Sequence, residues 1–216
     1  MTNARPVHIL FRSRSPAETR RLGRELARFA VQGQEFMLVG EYGCGKTQFV
    51  KGLAAGLGVR DAARRVTSPT FVLHGMHPGR LTLHHVDAHR LRTKADLEAI
   101  GWPDLFGDGV LAIEWADTVF PEYTRPANRL AREVRATGEP HRASGHAPSG
   151  AAAKGRAGWT RLDPASLGPV RAALRRVCVT EPHGRRPARP VPILVLFRHA
   201  GPRERLMLVT TGGSSV

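Results

Sequence analysis

Apolar residues along the first 124 positions follow two spacings in turn. Short continuous runs at Val7 to Phe11, Phe36 to Val39 and Val110 to Ile113 have the length and composition of strands. Between them the spacing turns helical. After Pro16, Leu22, Leu26 and Phe29 fall on one face, with Ser15 placed as N-cap, Glu18 at the capping-box position and Gly33 as the stop. A second helix is expected over 46–57, with Phe49, Leu53 and Leu57 on one face and Gly58 beyond its end. Residues 59–66 read as a charged connection. Thr70 to His74 and Leu81 to Val86 flank Pro78-Gly79 and predict a hairpin. Thr93 to Ile100 predicts a short helix, and the run 110–113 delivers Glu114 at the end of a buried strand.

The pattern weakens after residue 124. Asn128 to Ala136 suits a strand or a helix. Residues 137–158, rich in Gly, Ala, Ser, Pro and His, read as a flexible loop. Leu167 to Val179 is helical in part, and Glu181 to Pro192 is basic and proline-rich. Ile193 to Phe197 and Leu206 to Val209 have strand composition.

Composition adds limits. The chain has 216 residues, 41% of them apolar, enough for a core, and no run approaches a membrane span. The N-terminal apolar stretch is too short for a secretory signal, and the two cysteines, Cys44 and Cys178, read as free thiols of a reducing compartment, so a cytoplasmic location is expected. The net charge of +15 falls mostly after residue 124. That asymmetry suits a basic tail touching nucleic acid, and suits equally a genome-wide bias toward Arg, Ala, Gly and Pro.

The chemistry is concentrated in Gly40-Glu41-Tyr42-Gly43-Cys44-Gly45-Lys46-Thr47, a full match to the phosphate-loop pattern between a strand and a helix. A polyphosphate needs many donors at short range. Glycines let the backbone turn its N–H groups inward, and the helix that follows adds the positive end of its dipole. The pattern places Lys46 on the β- and γ-phosphates of a nucleotide and the Thr47 hydroxyl on Mg²⁺, with Gln48 next in the first helical turn. Such a loop requires a second acidic group from a neighbouring strand, and Glu114 fits. Asp87 closes the run His84-His85-Val86-Asp87, where a carboxylate can align the attacking water. Strand alternation sends His84 and His85 to opposite faces, so they do not form one ligand pair. Ser68-Pro69-Thr70-Phe71 is an extended segment of the kind in which a Thr senses a γ-phosphate.

The order of these motifs — G-E-Y-G-C-G-K-T, V-T-S-P-T-F, His85-x-Asp87-x-x-Arg90-Leu91, and Ile113-Glu114-Trp115 — resembles the TsaE (YjeE) family, small ATPases of bacterial tRNA threonylcarbamoyladenosine synthesis. The resemblance covers roughly residues 7–120. It implies a three-layer α/β fold of phosphate-loop NTPase type with a central sheet, ATP and Mg²⁺ as cofactors, and TsaB-like and TsaD-like partners that carry out the transfer chemistry. It implies Lys46 on phosphates, Thr47 and Glu114 at Mg²⁺, Asp87 in hydrolysis, Thr70 in a switch-like segment and Trp115 beside the site. The nucleotide contacts would come from Glu41, Tyr42, Gly43, Cys44, Gly45, Lys46, Thr47 and Gln48, and an Arg near the nucleotide is assigned to Arg142. The chain differs from the family's usual pattern at Tyr42, Cys44 and His89.

The resulting expectation is an ATPase domain over residues 1–162, its motif-bearing core at 7–120. A basic, poorly structured C-terminal extension at 163–216 would be dispensable for ATP binding and available to tRNA. Two other functions fit a phosphate loop: a small-molecule kinase, and a nucleotide switch that binds nucleic acid. The guanine-reading Asn-Lys-x-Asp signature is absent, which favours ATP over GTP.

Overall fold

The computed structural model describes residues 8–68, 73–101, 109–123, 160–162, 192–199 and 204–211. Along the chain run β1 (His8–Ser13), α1 (Pro16–Ala27), β2 (Glu35–Val39), α2 (Lys46–Gly56), α3 (Ala62–Arg65), β3 (His74–His77) and β4 (Thr82–Asp87). After these come α4 (Lys94–Ala99), β5 (Gly109–Glu114), α5 (Ala116–Val119), β6 (Thr160–Leu162), β7 (Ile193–His199) and β8 (Arg205–Thr211). The strands form one eight-stranded sheet in the order β3-β4-β5-β2-β7-β8-β1-β6. Parallel pairing joins β4, β5, β2 and β7, while β3 and β8 run antiparallel to their neighbours.

The sheet is covered on both faces, which is why β2 and β5 are buried along their whole length and apolar between their terminal residues. Phe36 and Leu38 of β2 pack with Leu22, Leu26, Phe49 and Leu53 of α1 and α2. The alternate residues Met37 and Val39 pack with Leu97, Ala116 and Val119 of α4 and α5. These are the three layers that the motif order implied. Among the described residues no helix is long and apolar enough to cross a membrane.

Local signals hold where the side chains themselves act. Ser15 accepts from the Glu18 amide and caps α1. Thr93 and Asp96 form a reciprocal capping box on α4. The hairpin forms as β3 and β4, with Thr70 to Val72 of its expected first strand outside the described residues and the strand continuing to His77. Helix α1 ends at Ala27 rather than at Gly33; Gly33 instead donates its N–H to Gly109 O at 2.7 Å, joining the loop before β2 to β5. The charged connection contains a single helical turn, α3.

The larger departure concerns the C-terminal segment. Residues 193–199 and 205–211 belong to the sheet, and β7 pairs directly with the phosphate-loop strand, Met37 with Leu194 and Leu38 with Val195. Val195 is fully buried and the Phe197 ring meets Phe49 edge-on at 5.8 Å. The core therefore extends past residue 120 and across the boundary expected at 162/163. The physical reason is that these short apolar runs bury themselves against β2 and α2 rather than forming a core of their own. Asn128 to Ala136, the loop at 137–158, Leu167 to Val179 and nearly all of Glu181 to Pro192 lie outside the described residues.

Candidate functional site

The loop that joins β2 to α2 rises at the carboxyl ends of the parallel strands, where ligands of open α/β sheets bind. Gly45 adopts φ +104°, a conformation costly for any residue with a Cβ, and begins α2 with no side-chain cap. The first-turn N–H groups of α2 thus have no side-chain acceptor, the arrangement that an anion satisfies. At Gly40 the constraint is proximity. A Cβ there would meet Phe197 O at 2.7 Å and Phe197 Cβ at 2.9 Å, so β7 sets the floor of the loop. At the end of the same strand, Tyr42 O accepts from His199 Nε2 at 3.3 Å.

Lys46 is buried and lies within the loop. Its Nζ donates to Gly40 O at 2.7 Å and Glu41 O at 2.9 Å, and stands 3.6 Å from the centre of the Trp115 ring. Trp115 itself has φ +60°, which is uncommon for a bulky residue and turns the chain sharply after β5. Cys44 is fully buried. Burial pushes its thiol pKa up, and the Lys46 ammonium beside it opposes that shift. The exposed Tyr42 side chain projects from the tip of the loop, and the Glu41 side chain is exposed as well.

Three strands place the acidic groups. In the β4–β5 register Asp87 pairs with Glu114, and in the β2–β5 register Glu114 pairs with Leu38. Both carboxylates therefore stand at the same end of the sheet, beside the loop. Thr47 Oγ1 donates to Glu114 Oε2 at 3.0 Å. The other oxygen of that carboxylate meets His85 Nε2 at 2.9 Å, in a contact buried on both sides. Asp87 accepts from the Ser68 hydroxyl and from the His89 amide at 3.2 Å, and His89 Nδ1 lies 3.3 Å from the same oxygen. Gln48 Oε1 accepts from Arg20 Nη1 of α1 at 2.6 Å.

The loop residues 41–48, Asp87, Glu114 and Trp115 are thus drawn to one end of the sheet, at the carboxyl ends of its parallel strands. Thr70 and Arg142 lie outside the described residues. Of the two strand histidines, His84 faces His74, with Nδ1 to Nε2 at 3.2 Å, while His85 faces Glu114, so they do point to opposite faces. Residue types alone did not single out His85 as a partner of Glu114. The signal was its place two residues before Asp87, on the same face of a strand that must neighbour β5.

A glycine-rich loop between a central parallel strand and a helix, with a carboxylate from the adjacent strand on its Thr, defines a phosphate-loop α/β protein. The chain belongs to the TsaE family: the family model described as "Threonylcarbamoyl adenosine biosynthesis protein TsaE" matches residues 13–143. Among its relatives is the "tRNA threonylcarbamoyladenosine biosynthesis protein TsaE" of Treponema pallidum, 44% identical over 116 residues, covering 52% of this chain and 84% of that one. The protein of the same name from Bacillus subtilis is 36% identical over 134 residues, covering 61% of this chain and 80% of that one. The crystal structure of the Bacillus YdiB protein superposes with a TM-score of 0.53 at 21% identity, over 97% of this chain and 88% of that one, a likeness of fold.

Proposed function

We propose that this protein is an ATP-binding and ATP-hydrolysing accessory factor of tRNA N6-threonylcarbamoyladenosine synthesis, acting with TsaB-like and TsaD-like transferase partners. The observation that carries the ATPase part is the 3.0 Å contact between Thr47 Oγ1 and Glu114 Oε2 at the first turn of α2. It sets a hydroxyl and a carboxylate oxygen side by side next to Lys46. The names of the relatives support the tRNA part.

The donor set at Thr47 and Glu114 fits a small, hard divalent cation, because both groups offer oxygen. When bound there, Mg²⁺ supplies neutralisation of charge on the phosphate oxygens. The chain's own groups do the rest. Loop N–H groups and the α2 N-terminus hold the phosphates. Lys46 exchanges its two carbonyl acceptors for phosphate oxygens, a stronger charge-assisted contact. His85 fixes the orientation of Glu114 through the oxygen that faces away from Thr47. Asp87, held by Ser68 and His89, orients the attacking water. Thr70 and Arg142 are assigned to the γ-phosphate and the nucleotide on the family pattern. The basic excess after residue 124 supports an electrostatic contact with tRNA, which weakens steeply with salt.

The test is replacement of the gene product in its own cells, followed by mass spectrometry of tRNA nucleosides. Loss of the protein should remove threonylcarbamoyladenosine, and the Lys46→Ala variant should fail to restore it. Unchanged levels of that nucleoside after loss of the protein would refute the tRNA assignment.

A further inference from the structure

The two helical layers of the fold differ in charge. Leu22 and Leu26 of α1 belong to the core, so the positions on the far side of that helix fall at Arg21, Arg24 and Arg28. These three are exposed and stand in one row, spaced about 5 Å along the helix axis. Helix α2 packs against α1 with unusually close backbones. A Cβ at Gly52 would meet Arg20 O at 2.0 Å, and one at Gly56 would meet Arg24 O at 2.6 Å. That approach draws together the outer positions of the two helices, and on α2 Lys51 holds such a place, half-buried. On α3, Arg64 and Arg65 are exposed while Ala62 joins the same core cluster. Arg28 pairs with Glu25 at 3.6 Å, whereas Arg21, Arg24, Lys51, Arg64 and Arg65 have no ion pair among the described residues.

The layer on the other face of the sheet is mixed. Asp96 and Glu98 of α4 and Glu122 after α5 are exposed there, interspersed with Arg92 and Lys94. A bias toward arginine along the whole sequence would not sort the charges by layer. The partner follows from what the basic face lacks. Between its cations stand the small exposed side chains of Ala17, Ala55 and Ala63. Among the described residues the exposed large apolar side chains are Tyr42 on the phosphate loop and Met76 on β3. A protein partner is held by buried aromatic or aliphatic anchors, which this face does not offer. A polyphosphate backbone is held by repeated cations, which it does offer.

We propose that the outer face of α1, α2 and α3 is a docking surface for an RNA backbone, gripped through its phosphates without reading sequence. The choice of RNA rests on the tRNA-modification function above. The surface adds a contact on the folded domain to the one assigned to the basic segment after residue 124.

The test is filter binding of bulk tRNA to the full chain across a salt series. The triple variant Arg21→Gln/Arg24→Gln/Lys51→Gln should bind about tenfold more weakly at about 0.1 M salt, and its slope of log affinity against log salt should be shallower by about two to three. Arg64→Gln/Arg65→Gln, on a separate element, should show a severalfold loss of the same kind. Both variants should keep wild-type affinity for Mg-ATP. Arg92→Gln/Lys94→Gln, on the opposite layer, should stay within twofold of wild type for tRNA. Unchanged tRNA binding in both basic-face variants would overturn the proposal. So would an equal loss per charge in the opposite-layer variant, which would make the effect one of net charge, or a wild-type chain with no measurable tRNA affinity. A triple variant that keeps tRNA but no longer co-purifies with its transferase partners would overturn it as well, by making the face a protein interface. The nucleoside measurement in cells separates the two failures: normal threonylcarbamoyladenosine without the protein refutes the tRNA-modification reading, whatever this surface binds.

Discussion

The ammonium of Lys46 rests 3.6 Å from the centre of the Trp115 ring, so the residue proposed to grip phosphate and the residue that follows Glu114 share one contact. A cation this close to an indole perturbs its emission and is worth roughly 0.5–2 kcal/mol. Nucleotide binding draws Lys46 toward phosphate and away from the ring.

Tryptophan emission should therefore change on addition of Mg-ATP, and Trp115→Phe should abolish the change while leaving Trp102 and Trp159 in place. A titration followed by fluorescence checks this. An undiminished signal in the variant would mean that Trp115 does not report the loop.

Asp87→Asn and Glu114→Gln should lower ATP hydrolysis at least tenfold and alter nucleotide affinity by less than threefold. In the roles proposed for them, both groups act chiefly on water and metal-side charge, which matter most in the transition state. Steady-state hydrolysis beside equilibrium binding separates the two effects. Wild-type turnover in both variants would contradict the roles given to them.

The C-terminal strands should be indispensable. Deleting residues 193–216 bares the edge of β2 and one side of Phe49, and Phe197→Ala alone should cost about 3–5 kcal/mol. Thermal unfolding followed by circular dichroism checks both. A shortened chain that still melts cooperatively and binds Mg-ATP would contradict the pairing of β7 with β2.

Acid should loosen the β3–β4 hairpin. Burial holds the pKa of His74 and of His77 below the ordinary histidine value near 6.5, with neighbouring histidines adding to the effect. The unfolded chain binds those protons more readily. The stability they contribute is thus fully present above pH 6.5 and falls as pH drops below it. His74→Asn should flatten stability between pH 7 and pH 5, as measured by urea unfolding. An equally steep decline in that variant would exclude His74 as a source.

The parts of the fold legible in sequence are those in which a few adjacent residues dictate geometry. The Gly40–Thr47 loop, the Ser15 cap and the strand that delivers Glu114 were readable because spacing and residue type suffice there. Long-range pairing was not readable. Nothing within 193–199 says that it joins β2, because the partner strand at Glu35–Val39 lies far back in the chain and no local spacing encodes the pairing. His85 was missed for a smaller reason: its link to Glu114 appears only once β4 and β5 are in register.

The central claim is that the loop holding Lys46 binds Mg-ATP, and calorimetric titration of wild type and Lys46→Ala tests it most directly. Loss of a charge-assisted contact costs on the order of 1.5–3 kcal/mol, so affinity should fall at least tenfold in the variant. Equal affinity of the two proteins for Mg-ATP would contradict the account.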